Sequence, residues 1–76
     1  MHAELLHSSI TLSVNGTLLA VADSTTLTQL LAEIGLSATQ GVAIAINDAV
    51  VPRSSWELHR VAEGDHVLVI QATQGG

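Results

Sequence analysis

Ile10-Thr11-Leu12-Ser13-Val14-Asn15-Gly16-Thr17-Leu18-Leu19-Ala20-Val21-Ala22 sets the apolar Ile10, Leu12 and Val14 in alternation with Thr11 and Ser13, the two-residue period of a strand with one face buried. Asn15-Gly16 follows at once and tolerates the positive φ of a tight hairpin turn, so Thr17 to Ala22 returns as a second strand. Asp23-Ser24-Thr25-Thr26 breaks the pattern. Thr26 with Gln29 three residues on has the form of a capping box, in which each side chain satisfies a helix-terminal N–H. Leu27, Leu30, Leu31 and Ile34 then fall on one helical face, and Gly35 stands where a left-handed C-terminal residue is wanted. The expected helix has about nine residues, too few to persist in water without docking on a sheet.

Further on, Val42-Ala43-Ile44-Ala45-Ile46 is an apolar run of strand length ended by the turn pair Asn47-Asp48. Ala49-Val50-Val51 reads as a short strand closed by Pro52, which cannot donate to a ladder. Ser54 to His59 is expected to hold a turn of helix with Trp56 and Leu58 as its apolar contacts. After the turn Glu63-Gly64-Asp65, the run Val67-Leu68-Val69-Ile70 is apolar on both sides, which suits a central strand. The sum is an α+β domain: a four- or five-stranded mixed sheet with one face on a single main helix and a short extra helical turn. Residues 1–9 are expected as a loosely held leader, 10–72 as the domain and 73–76 as a flexible tail.

Composition narrows the chemistry. The chain has 76 residues, 47% hydrophobic and 12% charged, against a usual charged fraction of about 25%, so it folds as one small domain and is not disordered. Its net charge of −5 and lack of any basic cluster remove the electrostatic footprint of nucleic-acid binding. The start Met1-His2-Ala3-Glu4-Leu5-Leu6-His7 lacks the positive flank and long apolar stretch of a secretory signal, and no run approaches membrane-span length, so a soluble cytoplasmic protein is expected. There is no cysteine, and both basic residues are arginines, Arg53 and Arg60. Thiolate metal sites, thiol nucleophiles and Schiff-base lysines are therefore excluded.

The side chains that remain look structural. His2 and His7 lie in the leader, while His59 and His66 flank the Glu63-Gly64-Asp65 turn and are expected to face solvent, with no metal bound. Glu4, Asp23, Glu33, Asp48, Glu57, Glu63 and Asp65 are scattered through caps, turns and exposed faces, with no pair in an apolar pocket. The serines lack a glycine-rich elbow or a base, and the isolated glycines form no phosphate loop. An enzyme acting alone is not indicated.

What stands out is Ala72-Thr73-Gln74-Gly75-Gly76. Two residues without Cβ let an extended backbone enter a narrow slot and leave the last carbonyl unhindered. Thr73 to Gly76 would reach roughly 13 Å at about 3.3 Å per residue, enough to enter a partner's pocket. The terminal carboxylate is an anion at neutral pH and a poor electrophile, so it needs activation. With no phosphate loop in the chain, any nucleotide chemistry falls to a partner.

In order and spacing the chain resembles the ubiquitin-like β-grasp sulfur carriers, most closely the ThiS family of thiamin biosynthesis. The resemblance runs from about Ile10 to Gly76 and rests on Asn15-Gly16, Thr26-Leu27, Ala45-Ile46-Asn47-Asp48-Ala49-Val50-Val51-Pro52-Arg53 with Trp56, Glu63-Gly64-Asp65-His66-Val67, and Gly75-Gly76. The segment Val51-Pro52-Arg53 to Trp56 is its more specific part, since Gly64-Asp65 and Gly75-Gly76 are shared with the molybdopterin carriers. The leader through about Ser9 departs from the pattern. The resemblance implies a β-grasp fold and a carrier, not an enzyme, that binds no cofactor of its own. Its Gly76 carboxylate would be adenylated by an E1-like adenylyltransferase (ThiF type) using ATP and Mg²⁺. A sulfur-donor protein would convert it to a thiocarboxylate, which a thiazole synthase (ThiG type) would use. Gly75 would give access, Thr73 and Gln74 would make tail contacts, and the sheet face near Val67 and Val69 would dock the partner. Alternatives are the small sulfur-carrier subunit of molybdopterin synthase, a non-catalytic ubiquitin-like interaction module, and a protein-conjugating modifier.

Overall fold

A computed structural model describes residues 8–36 and 41–71. The expected leader, apart from its last residues, and the tail Thr73, Gln74, Gly75 and Gly76 lie outside the described residues. The hairpin is β1 (Ser9–Val14) and β2 (Thr17–Ala22), antiparallel from Ser9↔Ala22 to Val14↔Thr17. Ser9, expected in the leader, is thus already strand, and Ser8 accepts the Asp23 N–H. The turn has Asn15 at φ 52 and Gly16 at φ 86, the left-handed pair that a two-residue hairpin needs.

Helix α1 (Leu27–Glu33) is shorter than the expected nine residues, but its start is as the sequence indicates. The Gln29 N–H donates to Thr26 Oγ1 and the Thr26 N–H to Gln29 Oε1, and Gly35 follows the C-cap at φ 87. Leu27, Leu30 and Leu31 are completely buried, each stabilising the fold by about 1.5–3 kcal/mol. That burial, more than the capping, lets so short a helix exist.

Strands β3 (Val42–Ile46), β4 (Ala49–Val51) and β5 (His66–Gln71) complete a five-stranded mixed sheet of order β2-β1-β5-β3-β4. β5 is central, parallel to β1 and antiparallel to β3. One sheet face and α1 enclose the core. Pro52 ends β4 and leads into a 3₁₀ turn at Arg53–Ser55. This turn delivers Trp56 into the core, where its Nε1–H donates to the Val51 carbonyl at 2.9 Å, while the Arg53 guanidinium lies 5.7 Å from the ring centre. Leu58, expected beside Trp56 as an apolar contact, is instead 86% exposed. The two are two residues apart across a tight turn, and the structure gives the core to the indole alone. Beyond the turn, Val61 N–H bonds to Thr25 O and Leu27 N–H to His59 O, which ties the helix start to the segment before β5. Among the described residues, no helix is long and apolar enough to cross a membrane.

Trp56 is therefore a filler and a tie at once. Trp56→Ala should cost about 3–5 kcal/mol, most of the stability of so small a domain, whereas Trp56→Phe, losing chiefly the bond to Val51, should cost about 1–3 kcal/mol. Urea unfolding followed by far-ultraviolet circular dichroism, needing no tryptophan signal, measures both; equal midpoints for the two variants would contradict this assignment.

Candidate functional site

The two-sided apolarity of β5 is resolved by its register. Ile44 lies opposite Val69 and Ile46 opposite Val67, with all four buried, whereas Ala43 lies opposite Ile70 and Ala45 opposite Leu68 on the other face. Val67 and Val69 consequently belong to the core, 3% and 8% exposed. This corrects the expectation that the docking face lies near them. α1 covers that side, and a partner could reach it only by displacing the helix. The open face carries Leu68 and Ile70, 48% and 52% exposed, and Val50, 75% exposed, across Ala45 from Leu68. Because Ala45 is small, this row forms a shallow apolar depression, rimmed by Ser13, Asp48 and His66.

The polar groups around β5 hold the backbone. His66 Nδ1 lies 3.0 Å from Ser13 Oγ, and Glu63 Oε1 accepts the Thr11 N–H. Asp65 accepts from Ala62 N–H through Oδ2 and from Asn47 Nδ2 through Oδ1. These are the structural duties expected of the turn carboxylates. His59, on the far side of the turn, contributes its carbonyl to Leu27. Among the described residues, no group of three or more His, Cys, Asp or Glu could hold a metal ion.

Two asparagines do more than the sequence suggests. Asn47, at φ 50 in the β3–β4 turn, accepts the His66 N–H on Oδ1 and donates its own backbone N–H to the His66 carbonyl. Asn15 accepts the Val69 N–H on Oδ1 at 2.8 Å and donates from Nδ2 to the Val69 carbonyl at 3.3 Å. Either turn could have used Asp or Gly for its positive φ alone. The signal was the choice, at both turns, of the one such residue whose side chain both donates and accepts. β5 ends at Gln71, within five residues of Gly76.

The ThiS family model matches residues 4–76, the tail included. The chain belongs to the ThiS family. The match begins inside the expected leader, earlier than the resemblance from about Ile10. Over 36 residues the chain is 47% identical to the sulfur carrier protein ThiS of Escherichia coli (strain K12), a match covering 47% of this chain and 54% of that protein. It thus spans about half the length of that curated relative. The crystal structure of the thiamine biosynthesis protein (ThiS) from Geobacter metallireducens is also similar, with a TM-score of 0.73 and 29% identity over 88% of this chain and all of that one. With five strands and one α-helix among its described residues, this ThiS-family chain has the ubiquitin-like β-grasp fold.

The inside-outside assignment of β5 is open to direct measurement. Val67→Ala should lower the unfolding free energy by about 1–3 kcal/mol, and Leu68→Ala should change it by no more than about 0.5 kcal/mol. The reverse ranking in chemical denaturation would place the wrong residues in the core.

Proposed function

We propose that this chain is a sulfur carrier of thiamin biosynthesis, whose Gly76 carboxylate is adenylated, converted to a thiocarboxylate and spent in forming the thiazole ring. The observation that carries this reading is the family match, which runs through Gly75-Gly76. The Escherichia coli relative is a sulfur carrier protein, which supplies the class of activity.

The chemistry follows from what the chain has and lacks. A carboxylate with an ordinary pKa of about 3.3–3.7 is ionised in the cell and resists attack. Its oxygen attacks the α-phosphorus of ATP, with Mg²⁺ neutralising the phosphates, and pyrophosphate leaves. Both nucleotide and metal sit in an E1-like adenylyltransferase of the ThiF type. The mixed anhydride now has a good leaving group, so sulfide (HS⁻) released by a donor protein adds at the Gly76 carbonyl, AMP departs and the thiocarboxylate is left. A thiazole synthase of the ThiG type then takes the sulfur. The carrier is a co-substrate throughout, not a catalyst. With no cysteine and no lysine in the chain, neither a side-chain thiol nor a side-chain amine of its own can intercept the activated carbonyl. Gly75 leaves room for the slot, Thr73 and Gln74 give it backbone and side-chain contacts, and the open face with Leu68, Ile70 and Val50 docks the partner by burying apolar surface.

Incubation with such an adenylyltransferase, ATP, Mg²⁺ and a sulfur donor should exchange one oxygen for sulfur, read by intact mass. A Gly76 deletion should stay unchanged. Wild type behaving like the deletion, or co-purification with a molybdopterin synthase in place of a thiazole synthase, would overturn the proposal.

A further inference from the structure

β2 and β4 are the two edges of the sheet, and they are not alike. β4 has three residues and runs into Pro52, whose nitrogen has no hydrogen to offer a further strand. β2 has six residues, Thr17-Leu18-Leu19-Ala20-Val21-Ala22, and carries no charge, no proline and no bulge, so the usual devices that blunt an edge are missing from it. The hairpin closes on Val14↔Thr17 across a two-residue turn, and its register runs unbroken to Ser9↔Ala22. Thr17, Leu19 and Val21 therefore exchange bonds with β1, while Leu18, Ala20 and Ala22 turn their peptide groups away from it. The Ala22 carbonyl is taken by the Thr25 N–H at 3.0 Å. Leu18 and Ala20 keep both an N–H and a C=O facing outward, with no strand beside them among the described residues. On the same stretch the Leu18 side chain is 74% exposed.

We infer that this edge is a self-association site: two copies of the chain join β2 to β2 in antiparallel, about a two-fold axis at Leu19, into one continuous sheet. The occupant is a second copy because the strand complements itself. In that register Leu18 of each copy pairs with Ala20 of the other, so every outward N–H of the two residues meets an outward C=O. The exposed leucine lies against a methyl group and not against another leucine, and half-buried Leu19 meets its own counterpart on the helix side of the sheet. Charge allows the approach, since Asp23, the ionisable residue nearest the strand, falls opposite Asn15 of the other copy and not opposite itself. The axis stands perpendicular to the sheet, which puts both open faces on one side and both helices on the other. β2 is the edge remote from β4, so the pairing leaves Leu68, Ile70 and Val50 uncovered. So short a contact makes a weak, reversible dimer. It needs no sulfur chemistry and stands or falls apart from the carrier reading.

Sedimentation equilibrium of the full chain in about 0.15 M salt, where the −5 charge of each copy is largely screened, is the direct test. The mass should rise from 7.9 kDa toward twice that value between about 10 μM and about 1 mM. Ala20 is exposed and lies beside the axis. Ala20→Asp and Ala20→Lys should each weaken the dimer on the order of tenfold through like charge, and an equimolar mixture of the two should associate at least as well as wild type. In wild type alone, the Leu18 and Ala20 amides should exchange hydrogen on the order of fivefold more slowly at the high concentration than at the low one, while the Leu19 amide, already bonded to β1, should change little. A chain still monomeric at about 1 mM would overturn the inference. So would a dimer whose Leu18 and Ala20 amides gain no protection, one that the mixture of charge variants fails to restore, or one broken only by Leu68→Asp, which would move the contact to the open face.

Discussion

β5 has to satisfy two sets of backbone hydrogen bonds at once, one toward β1 and one toward β3, while hiding Val67 and Val69 under a helix of seven residues. A buried, unpaired N–H or C=O costs about 1–3 kcal/mol, a large part of what a domain of this size has in hand. The neighbours of β5 are shorter than the demand. β1 turns away after Val14, and β3 ends at Ile46, opposite Val67. Side chains make up the difference at each place: Asn47 bonds the backbone of His66 at the start of the strand and Asn15 that of Val69 near its end. Among the described residues, no buried side-chain polar atom is left without a partner.

Much of this was legible in the amino-acid order because it is local. Thr26 and Gln29 announce the cap, Asn15-Gly16 the hairpin, Leu27, Leu30 and Leu31 the buried stripe, and each rests on contacts within a few residues. The face of β5 was not local. Val67-Leu68-Val69-Ile70 has no polar member to mark the outside, so only its register with β3 decides. The clue lay in β3, where Ile44 and Ile46 alternate with Ala43 and Ala45. Large residues go where a helix must be met, and the alanines mark the open side. The asparagine bonds were equally hidden, because they join positions 18 to 54 residues apart.

The division of labour between the two faces explains why so plain a composition suffices. The inner face takes most of the large aliphatic residues among those described, together with Trp56. The outer face keeps a modest apolar depression, with Leu68, Ile70 and Val50 around Ala45, of the size that the transient docking proposed above requires. Under the function proposed above, a carrier that meets an activating enzyme and later a sulfur acceptor is served by a surface that releases as easily as it docks.

The carboxamide at the hairpin also has a chemical lifetime. Asparagine followed by glycine is the pair most prone to lose ammonia, because the unhindered glycine nitrogen can close on the side-chain carbonyl, and Asn15-Gly16 is such a pair. In the folded chain both polar atoms of that carboxamide are engaged by Val69, so the bonds that extend the ladder also hold the carboxamide away from ring closure while the sheet is intact. Once the ammonia is lost and water opens the cyclic imide, the product with an unchanged main chain sets a carboxylate oxygen against the Val69 carbonyl where an N–H had been. A stored or heat-stressed preparation would then lose the side-chain bond that ties the hairpin turn to β5.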